Sequence, residues 1–400
     1  MRPLSDTLTR LARLRAAAGG VGGLEASQAD HLPAAIDFGA NPGALDARLY
    51  TPAGLTDGAP LVVVLHGCKQ TAAGYDRGTA WTRLAERHGF AVLYAEQRRA
   101  NNANLCFNWF QPGDNRRDAG EALSIRRMVG HAVSDLRSDP ARIYVTGLSA
   151  GGAMAAVMLA TYPEVFAGGA VIAGLPYGVA ATVPEAFDRM RGQGLGTDPQ
   201  LLQRVRSASD HRGPWPTLSV WHGSADQTVV PSNAEALLSQ WRGLHDLATA
   251  PAQIETVDGH RRRVWRDRDG RDVVEAFTIA GLGHGTPIDA SRADGEGASG
   301  PWILDAGISS THRIARFWGL TDVAAGEHPA ARTAPMERAP VLTLEHAAAP
   351  SDQPQRPRTP EPQHGGPAPR DPEPESSQRG PVTRVQKVIE DALRAAGLMK

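Results

Sequence analysis

The stretch Ile143-Tyr-Val-Thr-Gly-Leu-Ser-Ala-Gly-Gly152 decides how the rest of the chain is read. It opens as a short β-branched and apolar strand and runs into Gly-x-Ser-x-Gly, with Ser149 at the centre. A small-residue helical stretch follows, through Gly152, Ala153, Met154, Ala155 and Ala156. A serine held in a sharp strand-to-helix turn needs small flanking residues, because side chains there would clash. The helix N-terminus beneath the turn favours developing negative charge.

Working outward, strand-like and helix-like segments alternate from about residue 35 to 320. Strands are expected at Leu61–Leu65, Ala91–Ala95, Ile143–Thr146, Gly169–Ile172, Thr217–Trp221 and Val273–Ile279. Several are apolar on both faces, as buried parallel strands are. Helical patterns fall around 119–136, 151–161, 232–243 and 307–318. Such alternation implies a mostly parallel central sheet with helices on both faces. An extended pair near 35–52 (AIDFG, then ALDARLYTP) is expected to add antiparallel strands at one edge.

A nucleophilic serine requires a base, and the base an orienting acid. In the α/β-hydrolase fold, which this pattern fits, the partners follow in the order Ser, Asp or Glu, His. Asp226 stands in the loop after the strand at 217–221, where an α/β sheet exposes its functional groups. His284 follows in Ile279-Ala-Gly-Leu-Gly-His284-Gly285, a glycine-flanked loop after another strand. His222 competes for the base role but lies beside its strand and reads as a brace of the acid loop. For the tetrahedral oxyanion, the N–H of Ala150 is one expected donor. The other is the N–H of Cys68, in Leu65-His66-Gly67-Cys68-Lys69-Gln70; His66 reads as a brace of that loop.

These residues resemble the polyhydroxybutyrate (PHB) depolymerase family of esterases, related to feruloyl and acetylxylan esterases. The resemblance is carried over about residues 35–320 by His66-Gly-Cys-Lys-Gln70, Glu96-Gln97-Arg-Arg-Ala-Asn-Asn102, Cys106-Phe-Asn-Trp-Phe110, Gln111-Pro-Gly-Asp114 and GLSAGG. It implies the triad Ser149, Asp226 and His284, with Cys68 and Ala150 as oxyanion donors. It also implies a disulfide between Cys68 and Cys106; two free thiols are the alternative that a reducing compartment would favour. Serine-ester hydrolysis of a polyester or of short hydroxyalkanoate esters follows as the expected activity. The alternatives are a feruloyl or acetylxylan type of carbohydrate esterase, or a non-catalytic granule- or surface-binding protein acting through its tail. No metal or cofactor is expected. Trp109, Phe110, Tyr75 and Trp302 are the aromatic residues proposed to wall the substrate.

Composition sets the frame. Of 400 residues 41% are hydrophobic, enough for a sizeable core, and 42 basic against 43 acidic residues leave a net charge of -1. That balance gives no basic field for nucleic acid. No run reaches the ~18 apolar residues of a membrane span.

The expected domains are a 1–34 amphipathic helix and linker, a 35–320 catalytic domain, a disordered Pro/Ala-rich linker over 321–381 and a short amphipathic helix over 382–400. The linker holds 13 of the 30 prolines and too little apolar surface to offset ordering. In the last helix, Val385, Val388, Ile389, Ala392, Leu393 and Ala396 form one stripe. It either folds back on the body or docks on a partner or granule surface. The first segment, with Leu4, Leu8, Leu11 and Ala12 on one face, lacks a signal-peptide core. A cytoplasmic location is therefore expected, with an extracellular one, common in the resembled family, as the alternative.

Overall fold

The computed structural model describes residues 30–291 and 297–321. The expected N-terminal helix, the Pro/Ala-rich linker and the C-terminal helix fall outside these residues. Only Asp30–Ala34 of the first segment is described, and it is irregular chain.

Eleven strands and eight helices follow in order: β1 (Asp46–Tyr50), β2 (Leu61–Leu65), α1 (Ala72–Thr79), α2 (Trp81–His88), β3 (Ala91–Glu96), α3 (Gly120–Leu136), β4 (Ile143–Leu148), α4 (Ala150–Thr161), β5 (Gly168–Ile172), α5 (Val183–Met190), α6 (Asp198–Arg206), β6 (Thr217–Gly223), α7 (Ser232–Leu244), β7 (Gln253–Val257), β8 (His260–Arg266), β9 (Asp272–Ile279), β10 (Thr286–Ile288), β11 (Ile303–Asp305) and α8 (Ser310–Phe317), counted over the described residues. Nine strands form one sheet in the order β1-β3-β2-β4-β5-β6-β9-β8-β7. The six strands from β3 to β9 are mutually parallel. They are the six that hydropathy alone picks out. β1 joins one edge antiparallel to β3, and the β7–β8 hairpin extends the other edge antiparallel to β9. This is the α/β-hydrolase arrangement.

Alternate residues of the parallel strands face opposite sides of a sheet, and the core divides accordingly. Leu61, Val63 and Leu65 of β2 share one core with Met128 of α3, Met154 of α4 and Trp241 of α7. Val62 and Val64 pack on the other face with Tyr75, Trp81 and Ile314 of α1, α2 and α8. α4 is buried along all of its length. A helix apolar all round belongs between other layers, and here it backs directly onto the turn that carries Ser149.

Two departures stand out. The AIDFG segment is not a strand. It contributes one hydrogen bond, from Ile36 N–H to the Ala47 carbonyl at 2.8 Å, and then turns away. The Asp37 carboxylate accepts from the Gly39 N–H at 2.9 Å, a side-chain turn that competes with the ladder. Conversely, the β7–β8 hairpin was not anticipated, although Asp258-Gly259 at its tip, with φ of 50° and 82°, is a two-residue hairpin turn. Among the described residues no helix is long and apolar enough to cross a membrane.

Candidate active site

The site is assembled at the C-terminal ends of β2, β4, β6 and β9. At the end of β4 the backbone of Ser149 has φ 56° and ψ -116°, a conformation rare for a non-glycine residue. Its surroundings impose it: the Ser149 N–H donates to Ile172 O of β5 at 2.9 Å, and Ser149 O accepts from Ala153 N–H at 2.8 Å. The turn closes onto the neighbouring strand so tightly that a Cβ on Gly151 would lie 2.3 Å from Leu65 O. The glycines of the motif are therefore needed for close approach of backbone to backbone.

Asp226 and His284 lie on neighbouring loops because β6 and β9 are paired neighbours. The two loops are laced together by Ser224 N–H to Ile279 O at 2.9 Å, Ala225 N–H to Leu282 O at 3.0 Å and Gly281 N–H to Ser224 Oγ at 2.8 Å. Asp226 Oδ1 accepts from the Thr228 and Val229 N–H groups, each at 2.9 Å. Its Oδ2 lies 2.7 Å from His284 Nδ1, and His284 Nε2 lies 2.9 Å from Ser149 Oγ. The three side chains thus form a continuous hydrogen-bonded chain. The carboxylate accepts from Nδ1–H, which leaves the Nε2 lone pair facing the serine hydroxyl.

His222 is buried behind the acid. Its Nε2–H donates to Val229 O at 2.7 Å and stands 3.5 Å from Asp226 Oδ2. Burial lowers its pKa, which keeps the ring neutral beneath the Asp226 loop and away from Ser149.

The other side of the site is the loop after β2. Gly67 N–H donates to Gln70 Oε1 at 2.9 Å, Lys69 N–H to Asn104 O at 2.7 Å, and Gln70 N–H to Gly67 O at 3.3 Å. No partner among the described residues takes the intervening Cys68 N–H. Ala150 is the first residue of α4, where amides have no acceptor within the helix. Cys68 and Cys106 are joined by a disulfide.

His66 holds this loop from inside. Its Nε2 accepts from the Gln97 N–H at 3.1 Å, so the proton resides on Nδ1, which donates to Gly67 O at 2.7 Å. Complete burial holds its pKa down at about 4. Beyond it lies a group that sequence reading missed. Glu121, in the first turn of α3, is fully buried. Its Oε1 accepts from Gln97 Nε2 at 2.7 Å and Asn101 Nδ2 at 3.2 Å, and its Oε2 from the Asn108 N–H at 2.8 Å. Burial, opposed by these donors, pushes its carboxyl up to about 8. An acid in the first turn of a helix ordinarily complements the dipole, and nothing in the sequence marked this one as buried.

The four aromatic residues fare differently. Tyr75 is fully buried in α1, its hydroxyl 3.0 Å from Thr286 Oγ1. It belongs to the core and is no substrate wall, a correction to the sequence reading: helix α1 turns that residue inward against β10. Trp109 and Phe110 meet edge to face at 5.3 Å, Trp109 buried and Phe110 half-buried, on the loop tied to Cys68. Half-buried Trp302 sets its carbonyl against Gly285, beside His284, and accepts from the Thr286 N–H at 2.8 Å. Gln70 Nε2 reaches the adjacent Pro301 O at 3.2 Å. Among the described residues no cluster of three potential metal ligands occurs.

Comparison with known proteins gives a consistent picture. The family model for esterase PHB depolymerase matches residues 45–265. Poly(3-hydroxyalkanoate) depolymerase C of Paucimonas lemoignei is 44% identical over 71% of this chain and 69% of its own. Acetylxylan esterase A of Emericella nidulans is 30% identical over 64% of this chain and 85% of its own. Among solved structures, an acetyl xylan esterase from Aspergillus awamori matches in fold, with a TM-score of 0.61 at 24% identity, over 71% of this chain and 97% of that one.

Proposed function

The chain belongs to the esterase PHB depolymerase family and is a serine carboxylic-ester hydrolase; from that premise we propose that it cleaves hydroxyalkanoate esters, polymeric or oligomeric, with Ser149 as nucleophile. The observation that carries the reading is the Ser149–His284–Asp226 hydrogen-bond chain, at 2.9 and 2.7 Å, on a serine held at positive φ. Ser149 Oγ attacks the ester carbonyl as His284 Nε2 takes its proton. Asp226 fixes the ring and stabilises the imidazolium that forms. The Cys68 and Ala150 N–H groups receive the oxyanion, each donor worth about 3 kcal/mol where such donors have been removed in other enzymes. His284 then protonates the leaving alcohol. A water, deprotonated by the same ring, releases the acid from the acyl-enzyme. Trp109, Phe110 and Trp302 are the remaining aromatic candidates for the acyl-chain wall.

The hydroxyalkanoate assignment is supported by the 44% identity to a poly(3-hydroxyalkanoate) depolymerase. The second reading, a carbohydrate esterase, is supported by the 30% identity to an acetylxylan esterase. Purified protein should release hydroxyacid from a hydroxybutyrate oligomer faster than acetate from acetylated xylan or ferulate from a feruloyl ester. The reverse ranking overturns the substrate assignment. Ser149→Ala should lower hydrolysis of a short-chain nitrophenyl ester by at least about four orders of magnitude while its circular dichroism is unchanged. Substantial turnover in that variant rules out Ser149 as nucleophile.

A further inference from the structure

The loop presenting the Cys68 N–H is irregular chain, yet an oxyanion donor must be held within a few tenths of an ångström to act. Two routes of contact run from that loop into the interior, and both end on one side chain. Along the first, His66 Nδ1–H holds Gly67 O, the Gln97 N–H holds His66 Nε2, and Gln97 Nε2–H holds Glu121 Oε1. Along the second, the disulfide joins Cys68 to Cys106. The Cys106 carbonyl accepts from Gln97 Nε2 at 3.0 Å, and the Asn108 N–H two residues on is taken by Glu121 Oε2. Asn101 Nδ2 bridges Glu121 Oε1 and Gln97 Oε1 at 3.2 and 2.8 Å. All three donors on Glu121 thus come from the segment that runs from the end of β3 through the Cys106–Phe110 loop.

We propose that Glu121 is a positioning residue for ester hydrolysis: its carboxylate fixes the Gln97 and Asn108 segments, and through His66 and the disulfide it fixes the Cys68 N–H. The proposal rests on the reading above that this N–H receives the oxyanion. Glu121 touches neither substrate nor Ser149, so its effect falls on the transition state rather than on ground-state binding.

Glu121→Gln is nearly isosteric but replaces one acceptor by an N–H₂ that must face a donor from either Asn108 or the Gln97 and Asn101 amides. On a soluble nitrophenyl ester, assayed above the value of about 8 to which burial raises the carboxyl, so that it is ionised, kcat should fall about tenfold to hundredfold, with KM within about twofold. Affinity for a trifluoromethyl ketone, whose tetrahedral adduct carries the oxyanion, should fall by the same factor as kcat/KM. A merely structural carboxylate gives a lower Tm with kcat and inhibitor affinity unchanged below the transition, and that result overturns the proposal, as does a rise in KM at constant kcat. If Glu121→Gln does not fold, Gln97→Met, which cuts the link to Glu121 and Cys106 O while leaving the backbone N–H on His66, decides by the same criteria. Ser149→Ala separates the two levels. Turnover surviving there sinks the nucleophile assignment, whereas an inactive Ser149→Ala beside a Glu121→Gln of normal kcat sinks this proposal alone.

Discussion

At the scale of single residues, the turn that carries Ser149 was legible because its requirement is local. A serine between a buried strand and a small-residue helix needs glycine where backbone meets backbone, and the Cβ positions at Gly147 and Gly151 would lie 2.4 and 2.3 Å from neighbouring main-chain atoms. Gly151→Ala should therefore destabilise the fold by about 1–3 kcal/mol and, by shifting the α4 N-terminus against β2, cut turnover on the order of a hundredfold. Calorimetry and ester kinetics on one sample check both. Asp226 and His284 were readable for a similar reason: each follows a strand end in the expected chain order, and the structure draws both to Ser149. Glu121 and Tyr75 were not readable. Whether an acid in a first helical turn or a tyrosine on an amphipathic helix faces inward depends on which segments pack over it, and those segments are remote in sequence.

Among elements, the buried parallel strands announced themselves as apolar runs, since both faces are covered. The edges did not, because polar residues are tolerated there and alternation is weak. β7 carries exposed Ile254 and partly covered polar neighbours, a pattern that hydropathy assigns to loop. Its turn was the better signal. Asp258 and Gly259 both adopt positive φ, and a Cβ at Gly259 would meet nothing within 4 Å. Gly259→Ala should thus cost only the left-handed backbone penalty, about 1–2 kcal/mol, and leave kcat unchanged, as measured by urea denaturation and nitrophenyl-ester turnover. Comparison with Gly151→Ala distinguishes a strained turn from a crowded one.

For the molecule as a whole, the buried groups around the loop after β2 set a pH profile of stability. His66 falls from an ordinary 6.5 to about 4. Between those values the unfolded chain binds a proton that the native state refuses, so stability is lost as pH drops through that window, by on the order of 3 kcal/mol in full. Glu121 rises from 4.5 to about 8. The native state there keeps a proton the unfolded chain releases, so its contribution is lost as pH climbs from 4.5 to 8. From 4.5 to 6.5 the two slopes oppose, which gives a plateau with a decline on either side. Urea midpoints across pH 4–8 should show it, and His66→Gln should remove the acid limb and leave the Glu121 slope unopposed, so that stability declines from pH 4.5 upward with no plateau. An unchanged acid limb in that variant assigns the decline to other groups.

The bond between Cys68 and Cys106 has one more consequence, which concerns the chain before it is folded. It closes a ring spanning 38 positions. In the loop-entropy picture, such a ring removes roughly 4 kcal/mol of freedom from the unfolded ensemble. Inside the ring lie α1, α2 and β3, and β2 ends three residues before it. β2 and β3 are parallel partners, and a parallel pair is ordinarily slow to find because its crossover must be ordered first. The ring ties the start of that crossover to the loop that follows β3, which draws the C-terminal ends of the two strands together in advance, so the cross-link also shortens the search by which β2 and β3 find their register.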